Sequence, residues 1–546
     1  MSKIEDILIG SITKCVQTLT DEVNPEMIMI EIPKDNTNGD YSTNIAMRLT
    51  KILKKNPRDI AKKITDFLEE DLDIIDKVEI AGPGFINFYI KSDVLADVIG
   101  NILSKGDDYG KSDHGKNIKY NIEFVSANPT GDLHPGHARG AAIGDSVSRI
   151  MSMAGYDVTR EYYVNDAGNQ IINLAKSIYV RYHGLFGIEM VMPEDGYHGP
   201  DIYKIAESLK TEFDDKYLNV NFDDCVEELK AYGIEKELDK LRLDLKAYNV
   251  EFDVWTSERS LYANNMVQKS LAKLKELDMT YELDGALWLK TTKFADDKDR
   301  VLVKSDGSYT YLLPDISYHL DKLDRGFDNL VDLFGADHHG YIARLKAAIQ
   351  ALGYEANKLN VDIIQMVRMV KDGQEFKMSK RTGKAIALRD LIEEAGSDAV
   401  RYFFASRAAD TQMDFDLDMA TKQSNENPVF YAQYAHARMC AILRKEDIEL
   451  ANSFELINDE KEMNLLKHLN EFTNVVIDCA DTRAPHKMCN YIRDLASLFH
   501  SFYSANKVID HENMLLTKQR LALVKASKIT LKNALNLIGV NAPETM

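Results

Sequence analysis

Cysteine is scarce and scattered: five residues in 546, Cys15, Cys225, Cys440, Cys479 and Cys489, with no CxxC pair. Such a set offers neither a disulfide framework nor zinc-finger spacing, so free thiols in a reducing cytoplasm and no protein-bound metal are expected. Glycine and proline number only 29 and 12, which excludes collagen-like and low-complexity chains. No apolar run approaches the ~18 residues of a membrane span. The opening MSKIEDILIGSITKCV carries acids in an amphipathic pattern, unlike a signal peptide. No membrane partner is expected. Bases are outnumbered, 67 against 87 acids, for a net charge of −20. That balance argues against a non-specific nucleic-acid binder. The acidity is uneven, however: residues 194–300 hold 25 acids and 16 bases, whereas 428–546 hold 14 of each. RNA is therefore disfavoured by the total but not excluded.

What is present is a globular composition, 45% apolar and 28% charged, in a chain long enough for three or four domains. Residues 1–110 read as a small α/β unit, with VEIAGPGFINFYI as strands around a turn. From Ile118 the strand KYNIEFVSA, the turn-rich ANPTGDLHPG, a small-residue helix ending at Gly155 and the strand DVTREYYV form a βαβ unit. Strand–helix alternation resumes at LVDLFGADHHGYIARLKAAIQALG and VDIIQMVRMV. The fold class expected is multi-domain α/β, with a Rossmann-type nucleotide domain over 116–380, split by a helical insertion at about 166–285. A connecting segment, 381–411, leads to an all-helical bundle over 412–546.

The sharpest motif is His134-Pro135-Gly136-His137, between a strand and a helix start. Helix N-termini expose unpaired N–H groups and a positive dipole end that suit phosphate. Two histidines add donors there, and Gly136 lets a ribose or base approach the backbone. The bland alternative is a surface histidine pair beside a turn. The second motif, Lys377-Met378-Ser379-Lys380-Arg381, follows VDIIQMVRMV; mobile ammonium groups can follow a pyrophosphate, or simply form a solvated basic loop. Both in this order around one split nucleotide fold make coincidence a poor account. Glu123 and Asn128 flank the first strand's carboxyl end, and Tyr311 and Asp315 lie in TYLLPDISYHL. Converging carboxylates suit a cationic side chain, above all a guanidinium. Asp315 after Pro314 could instead cap a helix. Gly335, Asp337 and His339 in GADHHG could meet a ribose; a metal is disfavoured there, since adjacent histidines diverge. In NPVFYAQYAHAR, Tyr431 and Tyr434 beside Arg438 could stack on unpaired bases, or belong to a core stripe.

Together IEFVSANPTGDLHPGHARG, YYVNDAGNQ, YLLPDISYH, FGADHHGY, KMSKRTGKAIALRDLI, NPVFYAQYAHAR and NAPETM resemble the class I aminoacyl-tRNA synthetases, specifically the bacterial arginyl-tRNA synthetase family. HxGH and KMSK carry the class; the SANPTGxLHPGHARG and YAQYAHAR runs carry the family. The resemblance covers essentially the whole chain. It implies an amino-terminal domain touching the tRNA elbow, a Rossmann catalytic domain and a helical anticodon-binding domain. By that resemblance Phe85 and Asn87 face the tRNA D-loop, with core packing the alternative for Phe85. Glu123, Asn128, Tyr311 and Asp315 recognise L-arginine. His134, His137, Lys377 and Lys380 serve catalysis, and Gly136, Ser379, Gly335, Asp337 and His339 hold ATP. Tyr431 and Tyr434 stack on the anticodon of tRNA(Arg). Mg²⁺ arrives with ATP, adenylate formation needs bound tRNA, and editing is not expected, since a guanidinium–carboxylate pocket rejects competitors by itself. A monomer is expected because no dimerisation segment appears. Three rivals are a cysteinyl or glutamyl synthetase, a small-molecule adenylyltransferase and a non-catalytic tRNA-binding paralogue. They are countered respectively by the missing zinc ligands, the helical tail and the intact motifs.

Overall fold

The computed structural model describes residues 3–20, 27–33, 36–376, 385–445 and 447–546. Its centre is a five-stranded parallel sheet in the order Leu359–Ile364, Asn329–Gly335, Lys119–Glu123, Asp157–Val164, Val254–Ser257. The chain enters at the middle strand, moves outward through two strands on one side, then returns to build the other. Strand order thus reverses between Lys119–Glu123 and Asn329–Gly335, and the crevice beyond their carboxyl ends is where such sheets bind ligands.

The helix Pro135–Met153 makes the first crossover. Proline at its first position costs no hydrogen bond, because that N–H would be unpaired anyway. Its small residues bring it close to the sheet. A β-carbon on Gly144 would stand 2.3 Å from the Phe124 ring, so only glycine allows this approach. Gly155, at φ +92°, reverses the chain into the next strand.

Residues 3–20 and 27–90, with gaps, form a separate unit. Helices Lys3–Gln17 and Pro57–Asp71 pack with a four-stranded antiparallel sheet ordered Ile30–Glu31, Tyr41–Thr43, Phe85–Ile90, Ile75–Ala81. Its core includes Leu8, Ile12, Ile60, Ile64, Leu68, Ile86 and Phe88. The boundary expected at 110 falls earlier: helix Ser92–Lys105 packs on the carboxyl-terminal bundle, and Ile99 and Ile102 belong to that larger core. The bundle comprises Pro428–Arg444, Glu460–Asn470, Phe472–Thr482, Pro485–Ala505 and Met514–Leu537. It shares one continuous core with the helix Pro135–Met153, against which Phe472–Thr482 lies.

Two expectations need correction. The stretch 166–285 is not purely helical. Helices Asn169–Gly184, Pro200–Phe213 and Phe222–Ala247 are followed by the main sheet's edge strand, Val254–Ser257, then by Thr280–Leu283 in a small antiparallel sheet with Ala286–Leu289 and Arg300–Val303. Strand structure also continues past 411, because Met413–Asp416 pairs in parallel with Val367–Lys371. Among the described residues, no helix is long and apolar enough to cross a membrane.

Candidate active site

His134 is the N-cap of Pro135–Met153, and the two histidines lock together. His134 Nδ1 accepts from the backbone N–H of Gly136 (3.1 Å) and His137 (3.3 Å), while His137 Nδ1 accepts from His134 N–H at 3.3 Å. The rings stack at 3.6 Å. A side chain larger than hydrogen at Gly136 would meet the His134 ring at 2.9 Å. Burial pushes both imidazoles below the usual histidine range, His137 to about 3 with His134 adding to the effect. Both are neutral near pH 7. With each Nδ1 accepting, each ring carries its proton on Nε2, ready to donate without bearing charge. Asp337, from the segment after Asn329–Gly335, lies close enough to His134 to act on it electrostatically. Its carboxylate folds back over Gly335, where a β-carbon would stand 2.6 Å from Oδ1. Asp337 and His339 are exposed on the same rim.

The turn after Lys119–Glu123 is strained. Val125 and Ser126 adopt φ of +69° and +39°, a region that β-branched residues avoid. Side chains hold it: Ser126 Oγ donates to Glu123 Oε1 (2.9 Å) and accepts from Tyr163 N–H (3.1 Å), and Tyr162 OH donates to Ala127 O (2.8 Å). The turn delivers Asn128 to the surface beside the crevice.

Beneath it lies a charged network that sequence reasoning missed. Lys322 is fully buried, its Nζ 2.6 Å from Glu123 Oε2 and 3.1 Å from Asp332 Oδ1. His319 bridges Asp332 Oδ2 (2.7 Å) and the carbonyl of Asp315 (2.7 Å). Glu161 binds Arg325 at 2.7 and 2.9 Å. Glu123 is thus already paired with a cation inside the protein. Asp315 is not. It sits within the first turn of Leu312–Asp324, whose N-cap is Tyr311, so the capping expectation fails. Its carboxylate instead accepts from Tyr341 OH. Burial, with the charges of Glu123 and Asp332, pushes it up to about 6. Glu258, at the end of the edge strand, is also raised, by burial and by Asp315. The buried Tyr163 hydroxyl lies between these two acids and Glu123. Among the described residues no lysine or arginine forms an ion pair with Asp315 or Glu258. The two carboxylates therefore lie near one another without a lysine or arginine partner. Tyr311, the N-cap of the Asp315 helix, stands 89% exposed.

Three family models match: "Arginyl tRNA synthetase N terminal domain" over residues 2–90, "tRNA synthetases class I (R), catalytic domain" over 98–440, and "DALR anticodon binding domain" over 432–546. The arginine–tRNA ligase of Bacillus subtilis is 56% identical over 533 residues, 97% of this chain and 96% of that protein. The chain belongs to the class I arginyl-tRNA synthetases. A Bacillus pumilus arginine–tRNA ligase is 54% identical over all of this chain and 98% of its own length. The arginyl-tRNA synthetase of Thermus thermophilus, 21% identical, shares the fold at a TM-score of 0.77 across 99% of this chain and all of that one.

The remaining residues expected from this synthetase family fall in three places. Lys377, Ser379 and Lys380 lie outside the described residues. Phe85 is half-buried at the start of its strand, whereas Asn87 is buried and accepts from Ser42 Oγ at 2.9 Å. By strand alternation Asn87 shares a face with Phe85, opposite the core residues Ile86, Phe88 and Ile90, and sits beside Ser42 of the neighbouring strand. In the bundle, Tyr434 stacks on Phe430 (6.2 Å) and His500 (5.9 Å), and Tyr431 tilts onto His500 at 4.8 Å. Arg438 donates to Tyr434 OH at 2.9 Å and lies 4.5 Å over the Tyr503 ring. The run NPVFYAQYAHAR signalled Tyr431 and Tyr434; His500 and Tyr503 come from another helix, with no local signal.

Proposed function

We propose that this synthetase joins L-arginine to tRNA(Arg) with ATP, through an arginyl-adenylate. The observation that carries the reading is the pair of carboxylates without a lysine or arginine partner, Asp315 and Glu258, which meet only tyrosine hydroxyls. An ammonium or a neutral side chain would leave acceptors unmet, whereas a guanidinium has a planar fork of donors. Asp315, with Tyr341 steering it, and Glu258 take the guanidinium; Tyr311 covers the mouth and Asn128 holds the backbone end of the amino acid. Glu123 acts through Ser126 and Lys322, shaping the turn.

The arginine carboxylate attacks the α-phosphorus of ATP and pyrophosphate leaves. A carboxylate is already nucleophilic, so alignment and charge stabilisation carry the step. His134 and His137 donate from Nε2 to phosphate oxygens as charge develops, and Gly136, Gly335, Asp337 and His339 hold the nucleoside. Lys377, Ser379 and Lys380 hold the departing pyrophosphate. The 2′-hydroxyl of the terminal tRNA ribose then attacks the aminoacyl carbonyl and AMP departs. Mg²⁺ belongs to the ATP phosphates as part of the substrate. Phe85 meets the tRNA elbow, and the Tyr434–His500 row with Arg438 offers stacking faces to anticodon bases. The chain works in the cytoplasm as a monomer, so sedimentation should return a mass near 61.9 kDa.

ATP–pyrophosphate exchange with each of the twenty amino acids, with and without tRNA, tests the reading. Exchange with arginine alone, appearing only with tRNA, is the expected result. Exchange with another amino acid would overturn the pocket, and none under any condition would overturn the activity.

A further inference from the structure

Apart from Glu258, the acidic insertion has no part in the mechanism above, yet one of its helices touches the flanks of both nucleotide motifs. Lys240, on Phe222–Ala247, reaches Asp132 at 3.0 Å, two residues before His134. The same Nζ lies 3.0 Å from Glu237 and 3.6 Å from Asp201, on the neighbouring helix Pro200–Phe213. One turn further on, Asp244 accepts from Arg389 Nε at 3.0 Å. Arg389 is the second residue of the helix Leu388–Ala395, which follows the KMSK segment in the chain. Asp132 and Arg389 also sense each other's charge. Between them, Leu388 N–H donates to Leu133 O at 2.6 Å. Charges of alternating sign, Asp132, Lys240, Asp244 and Arg389, therefore run across the seam between the segment before His134 and the helix Leu388–Ala395. Glu237 is fully buried and Lys240 largely so, which keeps this end of the chain of charges little screened by salt.

We propose that Lys240 and Asp244 are positioning residues: through Asp132 and Arg389 they hold the segment ahead of His134 against the segment that follows the KMSK loop. The helix thereby sets the spacing between the groups that hold ATP and those that follow the pyrophosphate. A contact of this kind adds nothing to arginine or tRNA binding. It acts on the geometry of the reacting phosphate, where a displacement of ~1 Å can cost on the order of a hundredfold in rate. It also gives the insertion's charge a use, since its acids hold the lysine that reaches the loop.

The test uses the full-length protein and tRNA-supported, arginine-dependent ATP–pyrophosphate exchange. Asp132→Asn and Asp244→Asn should each lower kcat about tenfold, with the KM values for arginine and tRNA within twofold of wild type. Lys240→Arg should retain most of the rate that Lys240→Met loses. Asp132→Asn added to Lys240→Met should cost nothing more, because the two act as one unit. Should Lys240→Met fail to fold with Glu237 left unpaired, the exposed Asp132→Asn and the pair Lys240→Met/Glu237→Gln give the same reading. Wild-type kcat in Asp132→Asn and Asp244→Asn would overturn the proposal. So would losses shared equally between kcat and the KM for tRNA, or a lowered Tm with kcat per folded molecule unchanged. Failure of the wild-type protein to exchange with arginine would instead strike the activity itself.

Discussion

Burial pushes the Asp315 carboxyl up to about 6 from an ordinary 3.8. The folded state thus binds this proton more tightly than the unfolded chain. Its contribution to stability is fully present below the unfolded value and is lost as pH rises through about 6. The cost above that pH reaches at most about 3 kcal/mol. Asp315→Asn should therefore raise the unfolding free energy in urea at pH 8, while abolishing the rise in Tm that arginine gives the wild type. A variant no more stable than wild type would show that the carboxylate is not held at a cost. Because a guanidinium needs the ionised acid, the arginine KM should climb below about pH 6, toward tenfold per pH unit. His134 and His137 add no break above the ordinary histidine value, since both are held below it. At this scale the contiguous motif was legible, because a strand, a turn and a helix start place its residues together. Lys322, Asp332 and Glu258 were not, for each reads as an ordinary surface charge until distant partners surround it.

Helix Pro135–Met153 combines two kinds of glycine. A methyl group at Gly144 would collide with the Phe124 ring, whereas one at Gly140 would meet nothing within 4 Å. Gly144→Ala should cost about 1–3 kcal/mol through forced separation of helix and strand. Gly140→Ala should stabilise by about 0.5–1 kcal/mol from helix propensity alone. Urea melts of the two variants check both, and equal effects would mean that close packing does not set the helix position. The 3.6-residue pattern announced this helix and those of the bundle. It could not announce Val254–Ser257 or Met413–Asp416, since four residues carry too little periodicity and their pairing is supplied by strands far away in the chain.

Across the whole molecule, Arg401 ties three parts together. Fully buried, it pairs with Asp145 on the catalytic helix at 2.5 Å and donates to Ile538 O (2.9 Å) near the carboxyl terminus and to Tyr248 O (3.0 Å) after the insertion helix. Arg401→Met leaves a buried carboxylate and orphaned carbonyls, so a loss of about 3–5 kcal/mol is expected. Arg149 and Arg160 also lie near Asp145 and place the value toward the lower end. Denaturant unfolding of Arg401→Met, and of Arg401→Met with Asp145→Asn, measures this; a loss below about 1 kcal/mol would remove Arg401 as the tie. By itself the sequence determined the order of units, the place of the nucleotide crevice and the residues around the helix end, because helix periodicity, turn chemistry and contiguous motifs are local. Only the tertiary structure decided which acids stand without a cation and which are answered by a buried lysine or arginine. It also decided which helix spans the two motif flanks. Those outcomes depend on distance and burial between residues hundreds of positions apart, and the linear pattern carries neither.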